Sequence, residues 1–234
     1  MRQSTDAPTV PASASLRWNI ESGILGETLV VPPNLVGDDA VINRASQWID
    51  PYWNAEHLRR TADWLLVLEP GATETLRLAA LTHDMERHFP GGPVLDLSLP
   101  AGADIVYQRE HPERSARIVG QWLCNEGAQA ATVTEVERLI RLHEVGGDSD
   151  ASLLQAADSL SFLEINIDVP YAWARRGDCG LARARAQHTW MFDRIQVPAA
   201  REVALPLYEA ALHHGDTRAG ADVDDVLTGR SRTG

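Results

Sequence analysis

Apolar residues recur through the middle of the chain at helical spacing, and the stripes share an anomaly: each carries a polar group where another apolar residue is due. Leu76, Ala79, Ala80 and His83 fall at i, i+3, i+4 and i+7, so the imidazole of His83 lies on the face that turns inward. Val136, Leu139, Ile140 and His143 repeat the pattern within the segment from Val133 to Glu144. Between Ser149 and Leu163 the stripe is Leu154, Ala157, Asp158 and Ser161, which sends a carboxylate inward. From Trp53 to Leu68 the inward positions are Leu58, Thr61, Ala62 and Leu65, with His57 flanking them at the helix start. His111 precedes Pro112, and Ser115, Ile118, Val119 and Trp122 carry that face onward. The pattern predicts an all-α fold in which five helices each aim a metal-type ligand at one core.

Punctuation along the chain sets the element boundaries. Residues 1–15 are rich in Ser, Thr, Ala and Pro and are expected to be disordered. Residues 16–215 are expected to form one domain with its core at 50–165, and residues 216–234 a tail. An irregular stretch runs from Leu16 to Val36, where Thr28 to Val31 reads as a short strand or an extended arm. Asp38 or Asp39 starts a helix that Asp50-Pro51 ends after Ile49. Pro70-Gly71 is a turn, and Thr73 caps the helix that delivers His83 and Asp84. Phe89-Pro90-Gly91-Gly92-Pro93 stops that helix and opens a long loop to Ile105, a candidate lid. Pro112 can open a helix that His111 caps. Thr132-Val133-Thr134-Glu135 matches a capping box, and Gly146-Gly147 closes the helix it begins. A helical pattern runs from Leu181 to Ile195, and Pro198 opens a last helix to about His213, with Pro206 an expected kink. Trp173, Arg175, Arg176, Arg183, Arg185, His188 and Trp190 form either a substrate-facing group or an ordinary solvated face with an aromatic packing edge.

Composition narrows the chemistry. The 234 residues are 44% hydrophobic, enough for one sizeable core. The net charge is -12 and all 21 basic residues are arginine, so lysine Schiff-base chemistry and a phosphate-loop lysine are excluded. An acidic chain without a basic run argues against nucleic acid as a partner and for a small substrate. Cys124 and Cys179 are not in C-x-x-C spacing, no signal-peptide pattern opens the sequence, and no run of 18 apolar residues exists. A cytoplasmic protein that does not span a membrane is the expectation.

Two inward carboxylates beside four inward histidines need a cation to offset their burial. The ordered set His57, His83-Asp84, His111, His143 and Asp158 resembles the HD superfamily of metal-dependent phosphohydrolases, over roughly residues 50 to 165. The resemblance implies an HD-type helical bundle, here with additional C-terminal helices. It implies one metal held by His57, His83, Asp84 and Asp158, and a second held by His111 and His143 with Asp84 bridging. It further implies hydrolysis of a small phosphate ester or nucleotide by a hydroxide that the two metals share. Nitrogen and oxygen ligands without thiolate suit two divalent ions of iron, manganese, cobalt or zinc. Arg60, Arg87 and Arg114 each lie one turn after a ligand, Arg60 and Arg114 as candidate substrate contacts and Arg87 as a substrate contact or a clamp on Asp84. Asp84, Arg87 and Glu86 are the candidate catalytic residues, and Glu86, His88, Glu144 and Asp148 the candidate proton donors. Many HD proteins follow the His-Asp pair with glycine and then lysine, whereas Met85, Glu86 and Arg87 follow here. The same ligands also resemble HD-type mixed-valence diiron oxygenases that cleave C-C or C-P bonds. Only 14 residues separate His143 from Asp158, a tight spacing that suits a compact phosphohydrolase better. A domain that keeps its metals for folding or ligand sensing is a third reading.

Overall fold

A computed structural model describes the backbone of residues 40–228 and the side chains of residues 40–215. Among the described residues there is no strand. Nine α-helices follow one another among the described residues: α1 Ala40–Trp48, α2 Ala55–Leu68, α3 Glu74–Thr82, α4 Ile105–Asn125, α5 Ala130–Leu142, α6 Ser149–Ile165, α7 Val169–Arg176, α8 Leu181–Asp193 and α9 Pro198–Thr228. A short 3-10 turn, Met85–His88, follows α3. The all-α expectation holds. The expected disorder of residues 1–15, the stretch from Leu16 to Val36 with its possible strand, the start of the domain at residue 16 and the Asp38 or Asp39 helix start fall outside the described residues.

Helix α6 is the axis. Leu154, Ala156, Ala157, Asp158, Ser159, Leu160, Ser161 and Leu163 are all buried, so this helix has no solvent stripe and must be enclosed by others. Its alanines and serines let α2 come close, and α3, α5, α8 and α9 pack around the rest. Leu58 and Leu65 of α2, Leu76 of α3 and Val136, Leu139 and Ile140 of α5 fill the core between them. Each such side chain contributes about 1.5 to 3 kcal/mol of burial. On the outer side Trp48 of α1 stacks on Trp122 of α4 with ring centroids 4.6 Å apart, which fixes α4 against the bundle.

Several boundaries differ from the sequence expectation for identifiable reasons. Helix α3 starts as predicted, with Thr73 Oγ1 accepting from the Leu76 N–H at 3.3 Å. Helix α5 instead starts at Ala130, so Thr132 and Glu135 lie inside it and form no capping box. The alanines before Thr132 are good helix formers and start the helix early, and Glu135 turns to Arg138 at 2.6 Å. Helix α4 begins seven residues before Pro112, because Asp104 caps it by accepting from the Tyr107 N–H at 3.0 Å. His111 is therefore an interior residue of α4 and caps nothing. Helix α9 passes through Pro206 and continues to Thr228, so the backbone of residues 216–228 is helical where a tail was expected. Ala200, Ala204 and Ala211 bury one face of it on both sides of the proline.

The loop after the 3-10 turn is tied down at four points. Asp104 Oδ2 accepts from the Asp96 N–H at 2.9 Å, Gln108 Nε2 donates to the Gly102 carbonyl at 2.7 Å, and Arg183 Nε donates to the Leu99 carbonyl at 2.7 Å. Gly102, at φ 74°, lies so close to the Trp190 indole that a β-carbon there would stand 2.2 Å from its Nε1. The loop is a fixed wall of the cavity described below.

Candidate metal centre

The inward stripes converge. His83 and His143 stand at the C-terminal ends of α3 and α5, Asp84 follows His83, His57 lies in the first turn of α2, His111 in α4 and Asp158 in the middle of α6. His57, His83, His111, His143, Asp84 and Asp158 are all buried. His57 Nε2 is 3.1 Å from Asp158 Oδ1, and His83 Nε2 is 3.5 Å from the same oxygen and 3.9 Å from Asp84 Oδ1. Asp84 Oδ1 is also 2.9 Å from His111 Nε2 and 3.9 Å from His143 Nε2. Asp84 thus stands between two groups, His57 and His83 with Asp158 on one side, His111 and His143 on the other. His57, His83 and Asp158 are of a size to hold an ion, as are His83, Asp84 and His143, and His111 and His143 together with Glu144.

Hydrogen bonds behind the rings decide which nitrogen faces the centre. His83 Nδ1 donates to the Ala80 carbonyl at 3.0 Å, and His143 Nδ1 to the Ile140 carbonyl at 2.7 Å. His111 Nδ1 donates to Glu86 Oε1 at 2.8 Å. Ser161 gives its hydroxyl proton to the His57 carbonyl at 2.8 Å and accepts from His57 Nδ1, also at 2.8 Å. All four imidazoles are held with the proton on Nδ1 and the Nε2 lone pair turned to the centre, the tautomer a metal ligand needs. His83 Nε2 and His143 Nε2 are buried without a hydrogen-bond partner. Orphaned inward nitrogens beside buried carboxylates fit divalent cations of the borderline transition series.

Electrostatics keep the carboxylates anionic. Burial pushes Asp84 up, but Arg87, with its Nη1 3.0 Å from Oδ2, and the neighbouring imidazoles hold it well below the usual carboxylate range. Asp158 is likewise pushed up by burial and brought well below its ordinary value by Arg194 and His83. Glu86 is lowered against its burial by His111 and Arg114.

Beside this centre lies a cavity of about 220 Å³. His57, Asp84, Arg87, Glu144, Asp158 and Arg194 form its charged side, and Trp53, Tyr107, Phe162, Trp173 and Trp190 its aromatic side, with Leu95 and Gly102 from the loop.

The other sequence-predicted residues are placed as follows. Arg87 faces the cavity, clamps Asp84 and reaches within 3.4 Å of His111 Nε2. Arg60, expected at the substrate, is turned to Glu164, with Nε at 2.6 Å and Nη2 at 2.8 Å from its oxygens. Arg114 is turned to Glu86 Oε2 at 2.5 Å and to the carbonyls of Glu86 and Pro90, behind His111. Neither lines the cavity. Glu86 stands behind His111 as its hydrogen-bond acceptor and does not line the cavity either. Asp148 caps α6 by accepting from the Ala151 N–H at 2.9 Å, and His88 packs edge-on against Tyr52. Of the C-terminal aromatic and arginine group, Trp173 and Trp190 reach the cavity. Arg175 and Arg176 pair with Asp168 and Asp178, Arg185 reaches the Leu212 carbonyl, and His188 packs between Phe162 and Tyr171.

Arg194 is the residue that sequence reasoning missed. Its buried guanidinium bonds both Asp158 and Glu144, donates to Ser159 Oγ at 2.9 Å and lies over the Trp190 ring at 4.8 Å. Nothing around Met191-Phe192-Asp193-Arg194 in the sequence marks it as internal.

No family model matches the chain, and no curated protein matches it. Among solved structures it is similar to Bacillus subtilis YpgQ, at 19% identity. The selenomethionine form superposes with a TM-score of 0.53, covering 77% of this chain and 93% of that one. The structure of YpgQ in complex with ADP gives 0.51, covering 78% and 97%. The likeness extends over nearly the whole of YpgQ and concerns the fold. No helix among the described residues is long and apolar enough to cross a membrane.

Proposed function

We propose that this chain is a metal-dependent phosphohydrolase acting on a small phosphorylated molecule, an ester or a nucleotide. The observation that carries the reading is the common tautomer of four buried imidazoles, whose Nε2 atoms converge on Asp84 and Asp158 at the floor of an open cavity. His57, His83, Asp84 and Asp158 would hold one divalent cation, and His111 and His143 a second, with Asp84 shared. Such cations, when bound, supply Lewis acidity toward water and toward phosphate oxygens.

The chain itself does the positioning. Arg87 is tethered to Asp84 through one nitrogen and borders the cavity, so it offers its remaining donors to phosphate oxygens while keeping Asp84 in place. Trp173, Trp190 and Tyr107 exclude water from one side and give a flat apolar seat for the organic part of the substrate. The role assigned to Arg60 and Arg114 on spacing falls to Arg87, because Arg87 borders the cavity and those two do not. The solved YpgQ complex with ADP supports a phosphorylated ligand at the level of fold analogy. The chain's acidity supports a small substrate over nucleic acid.

The test is metal analysis of protein purified without chelator, followed by a panel of phosphomonoesters, nucleotides and phosphodiesters under air and under nitrogen. Phosphate release that persists without oxygen, with manganese or cobalt supplied, is the expected result. Turnover confined to iron and air, with oxygen consumed in step with product, moves the assignment to a diiron oxygenase. Metal uptake with no turnover on any substrate leaves a binding domain.

A further inference from the structure

We infer that Glu144 is a protein ligand of the second cation and that Arg194 aims one carboxylate oxygen at each of the two cation positions. The inference rests on the metal-dependent reading above and adds to it a ligand absent from the expected set.

Glu144 follows His143 directly at the end of α5 and is buried. Its Oε1 lies 3.6 Å from His143 Nε2 and 4.0 Å from His111 Nε2. Donor atoms about 2.0 to 2.2 Å from one cation stand roughly 3 to 3.5 Å from each other, so Oε1 needs to close on the two nitrogens by only about half an ångström. The neighbouring group of His57 Nε2, His83 Nε2 and Asp158 Oδ1 has the same make-up, two imidazoles and one carboxylate oxygen. Asp84 then lies between two matched groups. Without Glu144 the second position has two imidazoles and a share of Asp84, one carboxylate fewer than the first.

Arg194 makes the match. It takes Asp158 Oδ2 with one terminal nitrogen and Glu144 Oε2 with the other, leaving Oδ1 of the first and Oε1 of the second turned to their imidazoles. Ser159 and the Trp190 ring fix the guanidinium from behind. A guanidinium on the far oxygen holds each carboxylate as an anion, the form that binds a cation and is unsuited to donate a proton. Arg194 is thus a positioning residue, and Glu144 is better placed as a ligand than as the proton donor that sequence proximity made it.

Cobalt(II) titration of the full chain tests this, followed by calorimetry and by visible absorption of the bound ion. Wild-type protein should take two equivalents. Glu144→Gln keeps an acceptor for Arg194 and should fold; it should bind the first equivalent as wild type does and the second at least about a hundredfold more weakly. Glu144→Asp, which keeps the charge but withdraws the oxygen, should show an intermediate loss confined to the second equivalent, and it carries the test if the glutamine variant does not fold. Arg194→Gln should weaken both equivalents by about tenfold or more. Two equivalents bound to Glu144→Gln with wild-type affinity and spectrum overturn the ligand assignment, even where turnover is lost. Unchanged affinities in Arg194→Gln overturn its positioning role. A wild-type chain that binds no divalent cation overturns the metal-dependent reading itself, and one that binds a single equivalent, unaltered in Glu144→Gln, overturns the second site alone.

Discussion

The inner helices α2, α3, α5 and α6 and the outer helices α7 and α8 close on the same cavity by different physics. The inner set places its ligands by packing: His83 and His143 end helices whose apolar faces are fully buried, and each ring is fixed by a carbonyl of its own helix three residues back. The outer set reaches the centre through one buried guanidinium and two indoles, so its hold on the site is ionic and aromatic. A site positioned by packing answers to lost volume and is indifferent to pH. One positioned by desolvated ion pairs answers to protonation. Five substitutions probe the division.

The largest effect is expected at the carboxylate shared by the imidazoles. Asp84→Ala removes the carboxylate between the two imidazole pairs and leaves Arg87 without its partner, so metal content should fall toward zero and turnover become undetectable. His143→Ala, by contrast, should retain about one equivalent. Elemental analysis reads both, and equal metal loss in the two variants would dissolve the distinction between the cation positions.

Next comes the outer region's hold. Arg194→Leu leaves Asp158 and Glu144 as buried anions without their guanidinium, and in metal-free protein this should destabilise the fold by about 3 to 5 kcal/mol near neutral pH. The loss has a defined pH window. Burial pushes the Glu144 carboxyl up, but Arg194 and the imidazoles of His143 and His111 bring it down from 4.5 to about 2. A depressed carboxyl contributes stability that is present above its unfolded value and is lost as pH falls through the folded one. Asp158 is depressed in the same direction. The gap between wild type and Arg194→Leu should therefore be full above about pH 4.5 and narrow on acidification toward pH 2. Leu154→Ala, in the fully buried wall of α6, should cost about 2 to 5 kcal/mol with no such narrowing. Urea melts from pH 3 to pH 7 compare them; parallel curves would mean that the outer helices hold by packing as the inner ones do.

The same division explains what was legible in the sequence. A ligand on an inner helix interrupts an apolar stripe, and the interruption is visible at His83, His143 and Asp158 before any coordinate is known. Arg194 interrupts nothing: it follows Asp193 at the end of α8 and reads as a solvated helix terminus. Glu144 is hidden because it adjoins a histidine that already explains a polar position. Helix boundaries failed where two local signals competed, as when the alanines before Thr132 started α5 ahead of the expected capping box. Arg60 and Arg114 failed for another reason. Spacing along one helix says which face a side chain shares, but not which carboxylate waits across from it, and Glu164 and Glu86 waited there.

Arg60 gives the smallest expected effect and the sharpest check on that last point. Its guanidinium meets Glu164 through two bonds of 2.6 and 2.8 Å, and Trp64 Nε1 donates to the same carboxylate at 2.7 Å. Glu164 belongs to α6 and Arg60 to α2, so the pair braces the two helices that carry Asp158 and His57 without touching the cavity. Because the carboxylate keeps its indole donor and some access to water, Arg60→Gln should lower stability by only about 1 kcal/mol. KM should stay within about twofold of wild type, since a group that does not contact substrate contributes no ground-state binding. A tenfold rise in KM at unchanged stability would show that Arg60 leaves Glu164 for the substrate's phosphate during turnover, and the inner helices would then supply charge as well as ligands.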